Sequence, residues 1–144
     1  MARKDQKLEH LSKVPMFSAL NQNELRTLGR LSDEISVREG KVLCEEGTEG
    51  HEFYLVLGGE ALVKKGKKTV ATLKPGSFFG ELSILDGGVR SATVVAGTDC
   101  ELLIIGQREF SGVLRELPNF SRKLLASLAA RLRESDAKAI RFSN

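Results

Sequence analysis

Between residues 33 and 105 the chain is cut into short apolar runs by glycine. Ile35-Ser36-Val37 ends at Gly40, Val42-Leu43-Cys44 at Gly47, and Phe53-Tyr54-Leu55-Val56-Leu57 at Gly58-Gly59. Ala61-Leu62-Val63 ends near Gly66, and Val70-Ala71-Thr72-Leu73 at Pro75-Gly76. Two more runs follow, Ala92 to Ala96 and Glu101 to Ile105. None is long enough for an ordinary helix, and each is bounded by a residue that turns tightly. Short strands at a spacing of roughly 8–12 residues point to an antiparallel sandwich or barrel. The whole chain has 144 residues with 14 glycines and 3 prolines, which fits one domain with a β-rich middle.

Both flanks read differently. Residues 5–31 are expected to be helical. Leu8 and Leu11 stand three apart, Val14-Pro15-Met16-Phe17 interrupts, and Asn21 or Asn23 can cap a second helix carrying Leu25, Leu28 and Leu31. Residues 107–142 are expected to form two helices broken at Pro118. Phe110, Val113 and Leu114 lie on the first. Leu124, Leu128 and Leu132 recur at four-residue steps on the second, with Leu125 and Ala129 alongside, as a broad apolar stripe. Arg122, Lys123, Arg133 and Lys138 fall opposite and read as a solvated face.

The chemistry concentrates in one run, Phe78-Phe79-Gly80-Glu81-Leu82-Ser83-Ile84-Leu85-Asp86-Gly87-Gly88-Val89-Arg90-Ser91-Ala92-Thr93-Val94. Glu81 and Arg90 are opposite charges embedded among Phe, Leu, Ile and Val. In isolation they could be an ordinary ion pair on a turn. A half-buried pocket for a ligand with an anionic group and a hydroxyl is the other use of such a pair.

This run resembles the phosphate-binding cassette of the cyclic-nucleotide-binding domain family. That family includes bacterial cAMP receptor proteins, regulatory subunits of cAMP-dependent protein kinase and cyclic-nucleotide-gated channels. The pattern F-G-E-[LI]-x-[LI], a spacer, then R-[STA]-A-[TS]-V is complete, with kinase-type spacing from glutamate to arginine. Val89 stands where a proline often precedes the arginine, which loosens the loop. Leu11 to Leu20 resembles the family's N-terminal helical segment, and Gly47 to Glu60 its strand pair. The resemblance runs from about Leu11 to about Ile140. It implies one cyclic-nucleotide-binding domain over residues 1–144, with a helical segment at about 5–31, an eight-stranded antiparallel β-roll of jelly-roll type at about 33–105 and C-terminal helices at about 107–142. The cassette itself covers 78–94.

It also implies the ligand set Phe79, Gly80, Glu81, Leu82, Ser83, Arg90, Ser91, Ala92 and Val94. Arg90 offers a planar fork for the cyclic phosphate, which lysine cannot copy. Glu81 accepts from the ribose 2′-OH, and Gly80 lets the backbone approach closely. Glu81 to Leu85 would form a short helical turn with free N–H groups toward the phosphate. Counting from Arg90, Phe110, Pro118 and Arg131 match cAMP receptor positions, and Ser135 lies one turn further on. Arg131 and Ser135 are thus implied as lid contacts to the base. The last helix of such domains either covers the base or pairs with its twin in a homodimer.

Ser91 follows Arg90. Cyclic-GMP-preferring relatives can have threonine there, and bacterial cAMP receptors have serine, so the resemblance favours cAMP over cGMP as ligand. No cofactor is expected. An enzyme of the metal-dependent cupin type lacks ligands, because His10 and His51 are the only histidines and lie in different zones. Cys44 and Cys100 have no metal-like spacing and read as reduced, buried thiols. No apolar stretch reaches membrane-spanning length and no signal peptide is recognisable, so a cytoplasmic protein without membrane contact is expected. DNA binding is not expected, since no recognition helix follows the basic C-terminal helix. The reading is a sensor without its output domain, signalling to an unknown protein effector. The other readings are a degenerate fold serving protein–protein contact, and a sensor cut out of a larger regulator.

Overall fold

The computed structural model describes residue 9 and residues 11–143, with side-chain surroundings for all of these except Leu82 and 135–143. Eight strands form two four-stranded antiparallel sheets. One has the order β1 (Asp33–Val37), β8 (Cys100–Gly106), β3 (Glu52–Gly58), β6 (Phe78–Phe79). The other has the order β2 (Val42–Cys44), β7 (Thr93–Ala96), β4 (Ala61–Lys65), β5 (Lys68–Leu73). The antiparallel strands follow the glycine punctuation, and their number is that of the eight-stranded roll the resemblance implies.

Two packed regions explain why β3 reads as an unbroken apolar run rather than an alternating one. Tyr54 and Val56 face the space between the sheets, with Cys44, Ala61, Val94 and Leu102. Phe53 and Leu55 face the opposite way, into a second core made with the helices. A strand buried on both faces has no polar side to show. Helix α1 (Gln22–Leu31) buries Leu25 and Leu28 there, and α3 (Gln107–Glu116) buries Phe110 and Val113. Phe53 stacks on Phe110 at 4.9 Å and meets Phe120 edge-on at 6.3 Å.

Of the two candidate caps, Asn21 is used. Its side chain accepts from the Glu24 N–H at 2.9 Å, while Glu24 accepts from the Asn21 N–H at 3.0 Å. A short 3-10 turn, Pro15–Phe17, precedes it. Leu8 of the expected first helix lies outside the described residues. Strand β6 has no counterpart in the sequence reading, because two residues carry no periodicity. It exists because Phe78 and Phe79 pair with Leu55 and Tyr54. β5 starts two residues earlier than expected, and a bulge between Val63 and Lys64 shifts its register.

The chain breaks at Pro118, as expected, and α4 (Pro118–Ser143) follows. Only the start of its apolar stripe is covered: Leu124 is buried and Leu128 packs partly against the core. Leu125 and Leu132 are 65% and 64% exposed. The basic face is not simply solvated either. Lys123 donates to the Pro15 carbonyl at 3.0 Å and to Ser18 Oγ at 2.8 Å, tying α4 to the 3-10 turn. Cys44 and Cys100 are free, buried thiols.

Candidate functional site

A cleft of about 200 Å³ opens at the end of the roll where β6 runs into helix α2 (Glu81–Asp86). Gly80 makes this junction in a left-handed conformation, φ 91°, which glycine adopts without steric cost. No side chain caps α2. Phe79, Gly80, Glu81 and Ser83 line it from the β6–α2 junction, and Arg90, Ser91, Ala92 and Val94 from the segment that leads into β7. Cys44, Val63 and Leu73 add an apolar floor, and Arg131 reaches in from α4. Of the sequence-derived set, only Leu82 and Ser135 are not placed in the cleft. Leu82 lies in the first turn of α2 and Ser135 on α4, and their side chains fall outside the described residues.

Arg90 is 6% exposed. Its backbone is fixed first: its N–H donates to the Thr48 carbonyl at 2.7 Å, and its carbonyl accepts from the Gly47 N–H at 2.9 Å. Glu49 and Val89 pair beside it as an isolated antiparallel bridge. The guanidinium then lies between two carbonyls. Nη1 donates to Gly80 at 3.0 Å and Nη2 to Glu52 at 2.9 Å. No carboxylate among the described residues lies within ion-pair distance of it. The ordinary Glu81–Arg90 ion pair is therefore not what forms.

Glu81 pairs with Arg131 instead, Nη1 to Oε1 at 3.1 Å. The Glu81 side chain is 5% exposed and that of Arg131 48%. The same guanidinium lies 4.4 Å above the centre of the Phe78 ring, a cation–π contact. Burial raises the Glu81 pKa above the ordinary carboxylate value, opposed by its own backbone N–H and by Arg131 and Arg90. Burial likewise pushes the Cys44 thiol up to about 11, with Arg90 pulling it back. Cys44 is therefore an un-ionised wall of the cleft rather than a nucleophile.

Besides the apolar lining of Cys44, Val63 and Leu73, three residues around Arg90 escaped the sequence reading. Gly50 has no room for a side chain, since a Cβ there would stand 2.3 Å from Arg90 Nε. Glu52 supplies a carbonyl, which no residue-type signal reveals. Tyr54 stacks on Phe79 with ring centres 4.7 Å apart and planes 5° from parallel. Gly50 stood in the strand-pair resemblance, but nothing in sequence linked it to an arginine forty positions on.

Among the described residues no cluster of His, Cys, Asp and Glu could hold a metal, and no helix is long and apolar enough to cross a membrane.

Residues 34–116 match the family described as cyclic nucleotide-binding domain. The chain is 35% identical over 127 residues to the cyclic AMP receptor protein of Thermus thermophilus, covering 85% of this chain and 59% of that protein. It is 34% identical over 113 residues to a cAMP-dependent protein kinase regulatory subunit of Hypocrea atroviridis, covering 78% of this chain and 24% of that one. The crystal structure of Thermus thermophilus catabolite activator protein superposes with a TM-score of 0.81 at 35% identity, over 90% of this chain and 63% of that one. The chain thus spans less than two thirds of either curated relative.

Proposed function

The chain belongs to the cyclic nucleotide-binding domain family, and from that premise we propose that it is a cytoplasmic, non-catalytic sensor of a cyclic nucleotide, cAMP in preference to cGMP. One observation carries the reading. Arg90 is a buried cation with two carbonyl acceptors and no carboxylate partner among the described residues. Burying an uncompensated charge is costly. The cyclic phosphate supplies the missing anion, and the carbonyls turn the remaining N–H groups of the fork toward it. Backbone amides in the first turn of α2 and at Ser91 and Ala92 are the further donors that this reading assigns to the phosphate.

Glu81 accepts from the ribose 2′-OH through the oxygen that Arg131 leaves free. The base rests on Val63 and Leu73, an apolar floor suited to a flat ring. Arg131 and, one turn on, Ser135 bring α4 over it, so occupancy of the cleft biases where α4 lies. Ligand shifts that equilibrium only by binding one position more tightly than the other. The exposed Leu125 and Leu132 give α4 a face for a second copy of the chain, and the signal passes from there to a protein effector. The preference for cAMP rests on the relatives, which are named for that nucleotide.

Calorimetric titration with cAMP and with cGMP tests the reading, on the wild type and on Arg90→Ala. Micromolar or tighter cAMP binding that Arg90→Ala abolishes is the expected result, with cGMP weaker. No heat and no thermal stabilisation with either nucleotide overturns it, and equal affinity in Arg90→Ala overturns the role of Arg90.

A further inference from the structure

Glu52 and Tyr54 do not line the cleft, yet they join the two carbonyls that grip Arg90. They stand two residues apart on β3 and so share one face of the strand. The Tyr54 hydroxyl donates to Glu52 Oε2 at 2.5 Å and lies 3.3 Å from the Leu43 carbonyl. The Tyr54 ring stacks on Phe79, its partner across the β3–β6 ladder. Gly80 comes next in the chain, and its carbonyl takes Arg90 Nη1. The Glu52 carbonyl takes Nη2. One acceptor is thus held to Tyr54 through the phenol–carboxylate bond, the other through the aromatic stack.

We propose that Tyr54 and Glu52 are a positioning pair that sets the plane in which Arg90 presents its fork to the anion. The inference rests on the cyclic-nucleotide reading above and assigns it two residues outside the cassette. The pair acts through Arg90 alone, since neither residue reaches the cleft. Burial and the Glu52 carboxylate both raise the Tyr54 pKa, so the phenol stays a donor throughout the neutral range. A charge-assisted bond of this kind fixes geometry more firmly than a neutral one. Tyr54→Phe removes the hydroxyl alone and is the cleanest deletion, because it keeps the ring on Phe79.

The test combines cAMP titration with nucleotide-free NMR of the Arg90 guanidinium N–H groups, on the wild type, Tyr54→Phe, Glu52→Ala and Glu52→Gln. Tyr54→Phe and Glu52→Ala are expected to weaken binding about tenfold. The double variant is expected to lose no more than either single one, because the two act as one unit. Glu52→Gln, which keeps an acceptor oxygen, is expected to restore most of the affinity. The Arg90 resonances are expected to shift in Tyr54→Phe with no nucleotide present. Affinities within about twofold of wild type in Tyr54→Phe and Glu52→Ala overturn the proposal. So does a Glu52→Gln loss as large as that of Glu52→Ala. If the wild type binds no nucleotide, the functional reading fails on its own, and unchanged Arg90 resonances in Tyr54→Phe would still separately refute the pair.

Discussion

Arg131 donates to Glu81 across 50 positions of sequence, at 3.1 Å, joining α4 to the first residue of α2. The pair is lopsided: the acid is buried and the base half in water. Burial raises the Glu81 pKa in the fold, so its stabilising contribution is complete below the ordinary carboxylate range and is lost as pH rises through the raised value. Arg131 softens that loss by favouring the charged form. Arg131→Ala should therefore cost stability at neutral pH, by roughly 0.5–1 kcal/mol given the exposure of the arginine, and much less in mild acid. Urea unfolding of both proteins across this pH range checks it. A difference independent of pH would show that Arg131 acts through its packing on Phe78 rather than through Glu81.

Gly50 and Gly80 both lie against the Arg90 guanidinium, but for different reasons, and their alanine variants should separate. At Gly80 a Cβ would stand 2.6 Å from Arg90 Nη1 and 2.7 Å from the Glu52 carbonyl, on a backbone at φ 91°. Strain and clash together should cost Gly80→Ala about 1–3 kcal/mol of stability as well as nucleotide affinity. At Gly50 φ is not positive, and the three nearest atoms all belong to the Arg90 side chain. That side chain can swing away. Gly50→Ala should keep a melting temperature close to wild type while losing about tenfold or more in cAMP affinity through the displaced fork. Thermal melts and titrations of the two variants decide. A Gly50→Ala protein that binds normally would mean that Arg90 can be moved without consequence.

The glycine pair also shows where sequence reading stops. The roll was legible because every strand except β6 is written locally, as an apolar run closed by a glycine turn. The cleft was legible because Phe79 to Ser83 and Arg90 to Val94 are contiguous in the chain and carry charged or glycine residues in an apolar setting. Gly50, Glu52 and Tyr54 were not. Their contributions are a missing Cβ, a backbone carbonyl and a phenol outside the cleft lining, and each depends on the fold bringing β3 against β6 and the 47–50 loop against Val89. The Glu81–Arg131 pair had half a signal, since both residues were expected at the site but not bound to each other. Glu81 was expected to be free for a hydroxyl, whereas one of its oxygens is already taken.

Leu125 and Leu132 stand seven residues apart on α4, both close to two-thirds exposed, with exposed Ala129 between them. That spacing returns to the same side of a helix after two turns. Large side chains left open along one helical seam suit a partner helix with the same seam, as in a two-fold dimer. The wild type should run as a dimer by light scattering after size exclusion. Leu125→Glu with Leu132→Glu should run as a monomer with its β-roll intact by circular dichroism. A monomeric wild type at concentrations of tens of micromolar would remove the second copy as the occupant of this face.

Arg90→Lys isolates geometry from charge. Lysine keeps one positive charge on a stem of similar length, so bulk electrostatic attraction to a phosphate survives. What it lacks is the planar fork: its single nitrogen cannot donate at once to the Gly80 and Glu52 carbonyls while still facing the cleft. One of those buried carbonyls would then be left without its partner, or the ammonium would abandon the anion to satisfy both. Either way the variant should bind cAMP at least about tenfold more weakly than wild type, with the loss in the dissociation rate rather than in association, since long-range steering needs only the charge. Stopped-flow measurement with a fluorescent cAMP analogue resolves the two rates. An unchanged dissociation rate in Arg90→Lys would mean that the site recognises its anion by charge alone, and that the carbonyl grip on Arg90 serves the fold rather than the ligand.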